Sequence, residues 1–486
     1  MDINYRISTK IFGAILCVLG LAMLLPVGVG IFYREYESVK AFTKVLIPAI
    51  VIGTVLIKTM DSNKRSLKMR DGCFIVSISW ILCGLVGCLP FFISGNIPNF
   101  IDAFFETCSG FSTTGSTILT DIEALPKAML FWRSFTHWLG GMGILVFTIA
   151  LLPAIGVEGQ QIAAAEVPGP TLSKIVPKLS DTARYLYILY LVMTLVETVL
   201  LMFGGLDLFD ALCHSFSSLG TGGFSNYNAS IAHFDSIYVE IVIMIFMFLA
   251  GMNFNLFFVF YKNGFKSFYK DGEWKLYVYI IGVSTLLITL VLYFTNNYSL
   301  GESLRYASFQ DISIITTTGF ATADYTLWPT FCQLILFLLL YCGGCSSSTG
   351  GGIKVVRVLV LLKLVKRSIA IRLHPRAVVQ VKVNNQLLTR DTVSNIANFL
   401  FLYLALGMFG AFIVSFDGYD FVTSISASFT CLGNTGPGFC AIGPAENFTI
   451  FSDFTKLVLS FIMIAGRLEL FTLLMLFTKR FWNPFH

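Results

Sequence analysis

The sequence predicts an all-α polytopic membrane protein: two leading transmembrane helices, then four repeats of helix, half-helix, Thr-Gly loop and helix around one pseudo-fourfold axis. Three observations predict it. Apolar runs of about eighteen or more residues recur from end to end of the chain, the length a helix needs to cross a bilayer. Charged residues make up 13% of the 486, against 56% hydrophobic, and ordinary soluble domains carry roughly twice that charged share. A short Thr-Gly turn recurs four times, always between a half-length segment and a long apolar run.

The first apolar run, 11–33, can span and lacks an A-x-A-like cleavage site, so it reads as a transmembrane helix and not a removed signal. A second span follows at 41–59. The basic loop after it, with Lys64, Arg65, Lys68 and Arg70, belongs on the cytoplasmic face, as does the N-terminus with Arg6 and Lys10. This leading pair, 1–71, has no half-helix and stands outside the repeats. Repeat 1 (72–182) has a span at 73–94, a half-helix at 103–112 and a second span at 129–153. Repeat 2 (183–275) has 184–204, 211–220 and 235–261. Repeat 3 (276–392) has 276–295, 304–316 and a broken span over 328–366. Repeat 4 (393–486) has 394–416, 421–432 and 454–478. Ten complete crossings put both termini on the cytoplasmic side. The loop cations Lys174 and Lys178, then Lys262 to Lys275, then Lys366 to Arg390, and finally Lys479 and Arg480, all fall there. The formal charge of +5 is therefore a topology signal, not a nucleic-acid one. The eleven cysteines are scattered mostly through apolar segments and read as small buried hydrophobes.

The four turns are Ser112-Thr113-Thr114-Gly115, Gly220-Thr221-Gly222-Gly223, Thr316-Thr317-Thr318-Gly319 and Gly433-Asn434-Thr435-Gly436. They lie about a hundred residues apart, too far for a solenoid and suited to a duplicated pore with one quarter from each repeat. At a fixed interval before each final glycine stand Asp102-Ala103, Asp210-Ala211, Tyr306-Ala307 and Thr423-Ser424. The small second residue fits tight helix packing, and the two acids are expected to cap their half-helices. Glycine permits backbone conformations that point successive carbonyls the same way, and four such loops can replace a cation's hydration shell. Each half-helix aims its C-terminal end at the membrane centre, where its partial negative charge favours a cation. Glu106, His214 and Gln310 occupy matching places on three half-helices, where the fourth has Ala427; they are expected to brace the loops from behind, with lining of the pore entrance as the alternative. His137 reads as a satisfied interhelical histidine.

The second span of repeat 3 is anomalous. As one helix, 327–366 would run roughly 60 Å, twice the hydrocarbon thickness. It is interrupted by Gly343, Gly344, Ser346, Ser347, Ser348, Thr349, Gly350, Gly351 and Gly352. Irregular backbone at membrane depth survives only beside protein or a water-filled cavity, so the stretch reads as a gate loop across the pore beneath the turns. Its Cys342-Gly343-Gly344-Cys345 spacing lacks the context of a redox motif. The run ending at Lys354 lacks the Gly-Lys-Ser/Thr end of a phosphate loop. Arg467, mid-span in repeat 4, costs too much to face lipid and reads as a cation-repelling barrier held by the hydroxyls of Ser346 to Thr349. The competing reading is a structural ion pair, with Glu197 as partner; Glu469, two positions on, points elsewhere.

With these residues in view, the chain resembles the Trk/Ktr/HKT superfamily of potassium and sodium transporters, and within it the TrkH family of bacterial subunits. The resemblance covers essentially the whole length. It rests on the four turns, the stretch 343–357 (GGCSSSTGGGIKVVR), HPRAV at 374–378 and AGRLELFTLL at 465–474. It implies a K+-conducting pore in the bacterial inner membrane, with K+ bound at the sixteen turn residues and no covalent cofactor. A homodimer, and a TrkA-like cytosolic nucleotide-binding ring that controls opening, are implied as well. Glycine at position 115, where some sodium-selective plant relatives carry serine, implies potassium. The basic loop 366–390 and the loop 157–178 are the expected docking surfaces for that ring. A secondary transporter coupling the cation to H+ or Na+ is the alternative, since transporter helices are also broken. An enzyme is not indicated: the chain carries no His-Glu-x-x-His and no nucleophile elbow.

Overall fold

A computed structural model describes residues 3–60, 68–143, 179–264, 266–295, 298–377, 379–384 and 386–483. Lys64, Arg65, Lys174, Lys178 and the expected docking loop 157–178 lie outside the described residues.

The leading unit is α1 (Tyr5–Ala22) and α2 (Leu24–Phe32), separated by Met23 alone and together one span, and α3 (Tyr36–Thr59). α1 and α3 meet through glycines: a Cβ on Gly13 would lie 2.7 Å from the Gly53 carbonyl oxygen, an approach that small residues permit. Glu35, between α2 and α3, accepts hydrogen bonds from the backbone N–H groups of Lys127 and Ala128 at 2.7 and 2.9 Å. The leading pair thus caps the second helix of repeat 1.

The first helices of the repeats are α4 (Met69–Ile93), α7 (Leu179–Phe203), α11 (Gly272–Thr295) and α15 (Arg390–Ser415). The half-helices are α5 (Phe100–Phe111), α8 (Leu208–Leu219), α12 (Leu300–Ile315) and α16 (Phe421–Gly433). Their caps correct one expectation. The N-caps are Asn99, Asp207, Ser299 and Asp420, whose side chains accept from the first-turn N–H groups. Asp102 and Asp210 sit a turn inside. Asp102 receives Lys456 Nζ of repeat 4 at 2.6 Å, and Asp210 receives Asn226 Nδ2 and the Tyr227 hydroxyl at 2.8 and 2.7 Å. The small residues behind them, Ala103, Ala211, Ala307 and Ser424, are all buried.

The second helices are α6 (Lys127–Gly141), α9 (Ile237–Ala250) with α10 (Phe254–Asn263), α13 (Thr330–Cys342) with α14 (Val355–Leu373), and α17 (Asp453–Arg467) with α18 (Phe471–Leu474). The expected break in repeat 3 is present. The single spans expected over 235–261 and 454–478 are corrected: the first bends by 89° at 251–253, the second by 117° at 468–470. The span expected at 129–153 stops as an α-helix at Gly141, with Gly143 at φ 74°; residues from 144 lie outside the described set. Among the described residues six helices are long and apolar enough to cross a membrane, or eight with each bent pair taken as one span. A two-stranded hairpin, Lys382–Val383 with Gln386–Leu387, follows α14 and is the one departure from all-helical structure among the described residues.

Candidate functional site: four loops in a ring over a glycine-rich loop

The four Thr-Gly turns share one backbone conformation. The second residue of each is left-handed: Thr113 at φ 56°, Thr221 at 51°, Thr317 at 59° and Asn434 at 56°. The final glycines follow at φ 83°, 76°, 84° and 100° for Gly115, Gly223, Gly319 and Gly436. Two positive φ values in three residues are costly for L-residues other than glycine and asparagine. Their fourfold repetition marks an imposed geometry.

The same glycines close the ring. A Cβ on Gly115 would run into the carbonyl oxygen of Gly222, one on Gly223 into that of Thr318, and one on Gly319 into that of Thr435. A Cβ on Gly436 would crowd the carbonyl of Thr114, which completes the circuit. Each loop therefore presses its last residue against the third-position carbonyl of the next. All four glycines open onto one cavity, lined also by Ser116, Thr117, Asn228 and Glu446.

The differences between the loops have physical causes. In loops 1 and 3 the first and third side chains join, Ser112 to Thr114 at 2.7 Å and Thr316 to Thr318 at 2.8 Å. In loop 2 these places are Gly220 and Gly222, and the His137 imidazole fills the space: a Cβ on Gly222 would overlap its ring. His137 is stacked on Phe224 at 4.0 Å and bonded through Nδ1 to the Gly110 carbonyl at 2.7 Å. Its Nε2 has no partner among the described residues, so among them the expectation of a satisfied histidine holds for one nitrogen only. In loop 4, Asn434 Nδ2 donates to Thr114 Oγ1 and to the Met463 carbonyl, both at 2.9 Å.

Behind the loops, Glu106 accepts from the Thr117 hydroxyl at 2.9 Å, Ile118 N–H at 3.0 Å and Arg133 Nε at 2.6 Å. His214 Nε2 meets Ser225 Oγ at 3.0 Å, and Gln310 Nε2 donates to the Ala323 carbonyl at 3.3 Å. Three matching positions brace the segments leaving the loops; the fourth, Ala427, is simply buried.

The glycine-rich loop, 343–354, packs directly on this ring. Gly351 N–H donates to Thr317 Oγ1 at 2.7 Å. A Cβ on Gly350 would lie 2.8 Å from the Thr316 carbonyl, and one on Gly351 would overlap that of Gly433. Gly343 (φ 66°) and Gly352 (φ 71°) bring the two ends of the loop together, so that a Cβ on either would crowd the Cα of the other. The break in repeat 2 feeds the loop: the Gly251 carbonyl accepts from Cys345 N–H at 2.8 Å, and that of Ala250 from Thr349 N–H at 3.3 Å. Carbonyls freed by a broken helix are thus satisfied within the protein, as membrane depth requires. Ser347 (φ 54°) accepts Phe254 N–H at 3.1 Å through its carbonyl, and Ser348 Oγ turns back to the Cys345 carbonyl at 2.6 Å.

Arg467 meets this loop, but not as expected. Its guanidinium donates to the Thr349 backbone carbonyl at 2.6 Å and to those of Gly140 and Gly141 at 2.6 and 2.7 Å. Backbone carbonyls hold it in place of loop hydroxyls. Three of those hydroxyls are engaged elsewhere: Ser346 Oγ with Glu273, Ser348 Oγ with the Cys345 carbonyl and Thr349 Oγ1 with the Ala250 carbonyl. Glu197 receives the Ser218 hydroxyl. The ends of α6, the glycine-rich loop and α17 therefore converge on one side chain.

Three loop-holding residues escape a reading of the sequence. Glu273, at the start of α11, accepts from Ser346 N–H and Oγ, each at 2.6 Å, and from Val356 N–H at 3.1 Å, so one carboxylate grips both ends of the loop. Lys354 Nζ bonds the Gly350 carbonyl, and Arg357 pairs with Glu469, over whose break (Glu469 φ 54°, Leu470 φ 63°) the last helix turns. Lys354 is visible in sequence only as the end of a glycine run, and Glu273 as one acid in a basic loop.

The comparisons with known proteins match this architecture over the full chain. Residues 38–484 fit the family model TrkH, described as a cation transport protein. The chain belongs to the TrkH family. The Trk system potassium uptake protein TrkH of Escherichia coli K12 is 37% identical over 485 residues, 99% of this chain and 100% of the relative. That of Halomonas elongata is 34% identical over 486 residues, 99% and 100%. The crystal structure of the potassium transporter TrkH from Vibrio parahaemolyticus superposes with a TM-score of 0.89 at 34% identity, covering 99% of this chain and 100% of that one. Membership of a cation-transport family agrees with the polytopic helical fold.

Proposed function

We infer that this chain is the K+-conducting subunit of a bacterial K+ uptake system, its ions passing the four-loop carbonyl ring and then a gate formed by the glycine-rich loop and Arg467. The observation that carries the reading is the closed circuit in which each final glycine abuts the next loop's carbonyl. Such a ring offers a dehydrated cation oxygens on all sides, and the C-terminal ends of four half-helices face the loops with their partial negative charge. Potassium is supported by the names of the relatives, which are potassium uptake proteins, and by the glycine at 115. The inner membrane, cytoplasmic termini, a homodimer and a cytosolic nucleotide-binding ring as regulator complete the proposal. The relatives' description as parts of a Trk system supports a further component.

Purified protein in vesicles loaded with KCl or NaCl tests it. Passive K+ flux exceeding Na+ flux, indifferent to an imposed proton gradient, is the expected result. Flux that follows a proton gradient and stops at zero gradient would replace the pore with a coupled transporter.

A further inference from the structure

The four loops are not anchored alike on their outward side. In loops 3 and 4 the carbonyl just after the final glycine is tied to the loop's own half-helix: Ser313 Oγ donates to the Phe320 carbonyl at 2.7 Å, and Thr430 Oγ1 to that of Pro437 at 3.0 Å. The equivalent hydroxyls of repeats 1 and 2, on Ser109 and Ser217, are buried and have no hydrogen-bond partner among the described residues. Loops 1 and 2 have a different tie. Glu106 on α5 holds the segment leaving loop 1 through Thr117 and Ile118. Its carboxylate also receives Arg133 Nε, and Arg133 Nη1 reaches the Ser225 carbonyl in the segment leaving loop 2 at 2.8 Å. The guanidinium lies on the Phe224 ring, 3.5 Å from its centroid. Both side chains are essentially inaccessible, at 0% and 2% exposure.

We propose that the Glu106–Arg133 pair is a positioning strut that sets the spacing of loops 1 and 2 and with it the discrimination of K+ from Na+, a role that rests on the reading of the ring as a filter. The planar guanidinium suits this task. Its fork donates in two directions at once, where an ammonium presents a point charge. The pair is neutral as a unit, so a buried arginine near the mouth need not repel the cation. Na+ is the smaller ion, and carbonyls that close in on it lose the preference for K+. Loops 3 and 4 have a hydroxyl tie from their own half-helix to the carbonyl after the final glycine; loops 1 and 2, braced by Glu106 and His214, are joined in addition by a rod between repeats. Stability alone does not call for such a pair, since buried ion pairs are often replaced by apolar groups without loss.

The test uses the full-length protein in vesicles, with K+ and Na+ fluxes and thermal unfolding measured together. Arg133→Lys keeps the charge and loses the second reach. The double variant Glu106→Gln, Arg133→Met removes both charges and leaves none unpaired. Each is expected to fold and to conduct K+. Its K+/Na+ permeability ratio should fall about tenfold, equivalent to ~1.4 kcal/mol, the scale of one lost hydrogen bond to a charged group. Gly115→Ser in the filter itself separates the two levels. If it lowers the ratio while both folded strut variants keep the parent value, the strut is overturned and the filter stands. If it too leaves the ratio unchanged, the filter reading fails. If neither strut variant folds, the pair is structural and the proposal is wrong.

Discussion

A single methylene at position 115 meets an oxygen. Gly115 has φ 83°, and a Cβ there would run into the Gly222 carbonyl, so Gly115→Ser strains the backbone and displaces one member of the carbonyl ring together. The expected outcome in reconstituted vesicles is K+ flux retained in part, with Na+ flux raised toward it. An unchanged permeability ratio would count against the ring as filter. Gly222 is a different case, because the His137 ring occupies the space its side chain would need. Gly222→Ala should cost about 1–3 kcal/mol by overpacking, seen as a lower Tm, and His137→Ala in the same chain should recover part of it. The sequence shows Gly222 only as a departure from its sister loops; the cause lies on another helix. The left-handed second residue was equally hidden where it is threonine, and only Asn434, a residue that tolerates that conformation, hinted at it. At Arg467, loss of the guanidinium releases three carbonyls from two separate segments, the end of α6 and the glycine-rich loop. Arg467→Ala should raise K+ flux and weaken control by a partner, with Arg467→Lys intermediate because it keeps charge without the fork. A leaky protein with a normal Tm fits a barrier; an inactive one that unfolds early would make Arg467 a structural rivet.

The glycine-rich loop was legible as an element because its run of glycines is incompatible with a continuous helix. The breaks at 251–253 and 468–470 were not. Apolar residues continue across both, and the bonds that stabilise them come from far along the chain: Cys345 N–H to the Gly251 carbonyl, and Arg357 to Glu469. Glu273 belongs to the same class, since a carboxylate that grips Ser346 and Val356 leaves no local pattern at position 273. These contacts define what the loop should do when loosened. Deleting Gly350 to Gly352 removes the Gly351 bond to Thr317 and the contacts on Thr316 and Gly433. Basal K+ flux should rise while the K+/Na+ ratio stays with the parent. Glu273→Gln should act in the same direction and more weakly, because the amide can still accept from one backbone donor but loses the charge that strengthens these bonds. Lost flux with intact folding would mean that the loop builds the pathway and does not close it.

At the scale of the molecule, the repeats were readable because each carries its own local signals, the half-length helix and the Thr-Gly turn; the circuit they form needed all four at once. The end of the molecule that carries the hairpin supplies the remaining connection. α14 leaves the glycine-rich loop and carries Lys363 and Arg367, which bond the Lys382 and Val379 carbonyls at 2.6 and 2.9 Å. The hairpin so held reaches α11 through Asn384, whose side chain accepts Gly272 N–H at 2.8 Å and donates to Asp271 at 2.6 Å. Glu273, the residue gripping both ends of the loop, is next in sequence. A partner pulling on this basic surface would therefore move α14 and the start of α11 together, and both lead to the loop. Arg372, in the last turn of α14, and Arg376, just beyond it, are exposed and would suit an acidic partner. Replacing both with glutamine should weaken binding of the proposed cytosolic ring and the opening proposed for its nucleotide, and should leave the K+/Na+ ratio of the pore unchanged. Combined with the Gly350 to Gly352 deletion, the same change should leave the raised basal flux intact, because the deleted loop no longer needs to be pulled. Flux that falls in the combined variant would show that these arginines act inside the pathway, and unaltered partner binding in the double glutamine variant would remove them from the docking surface.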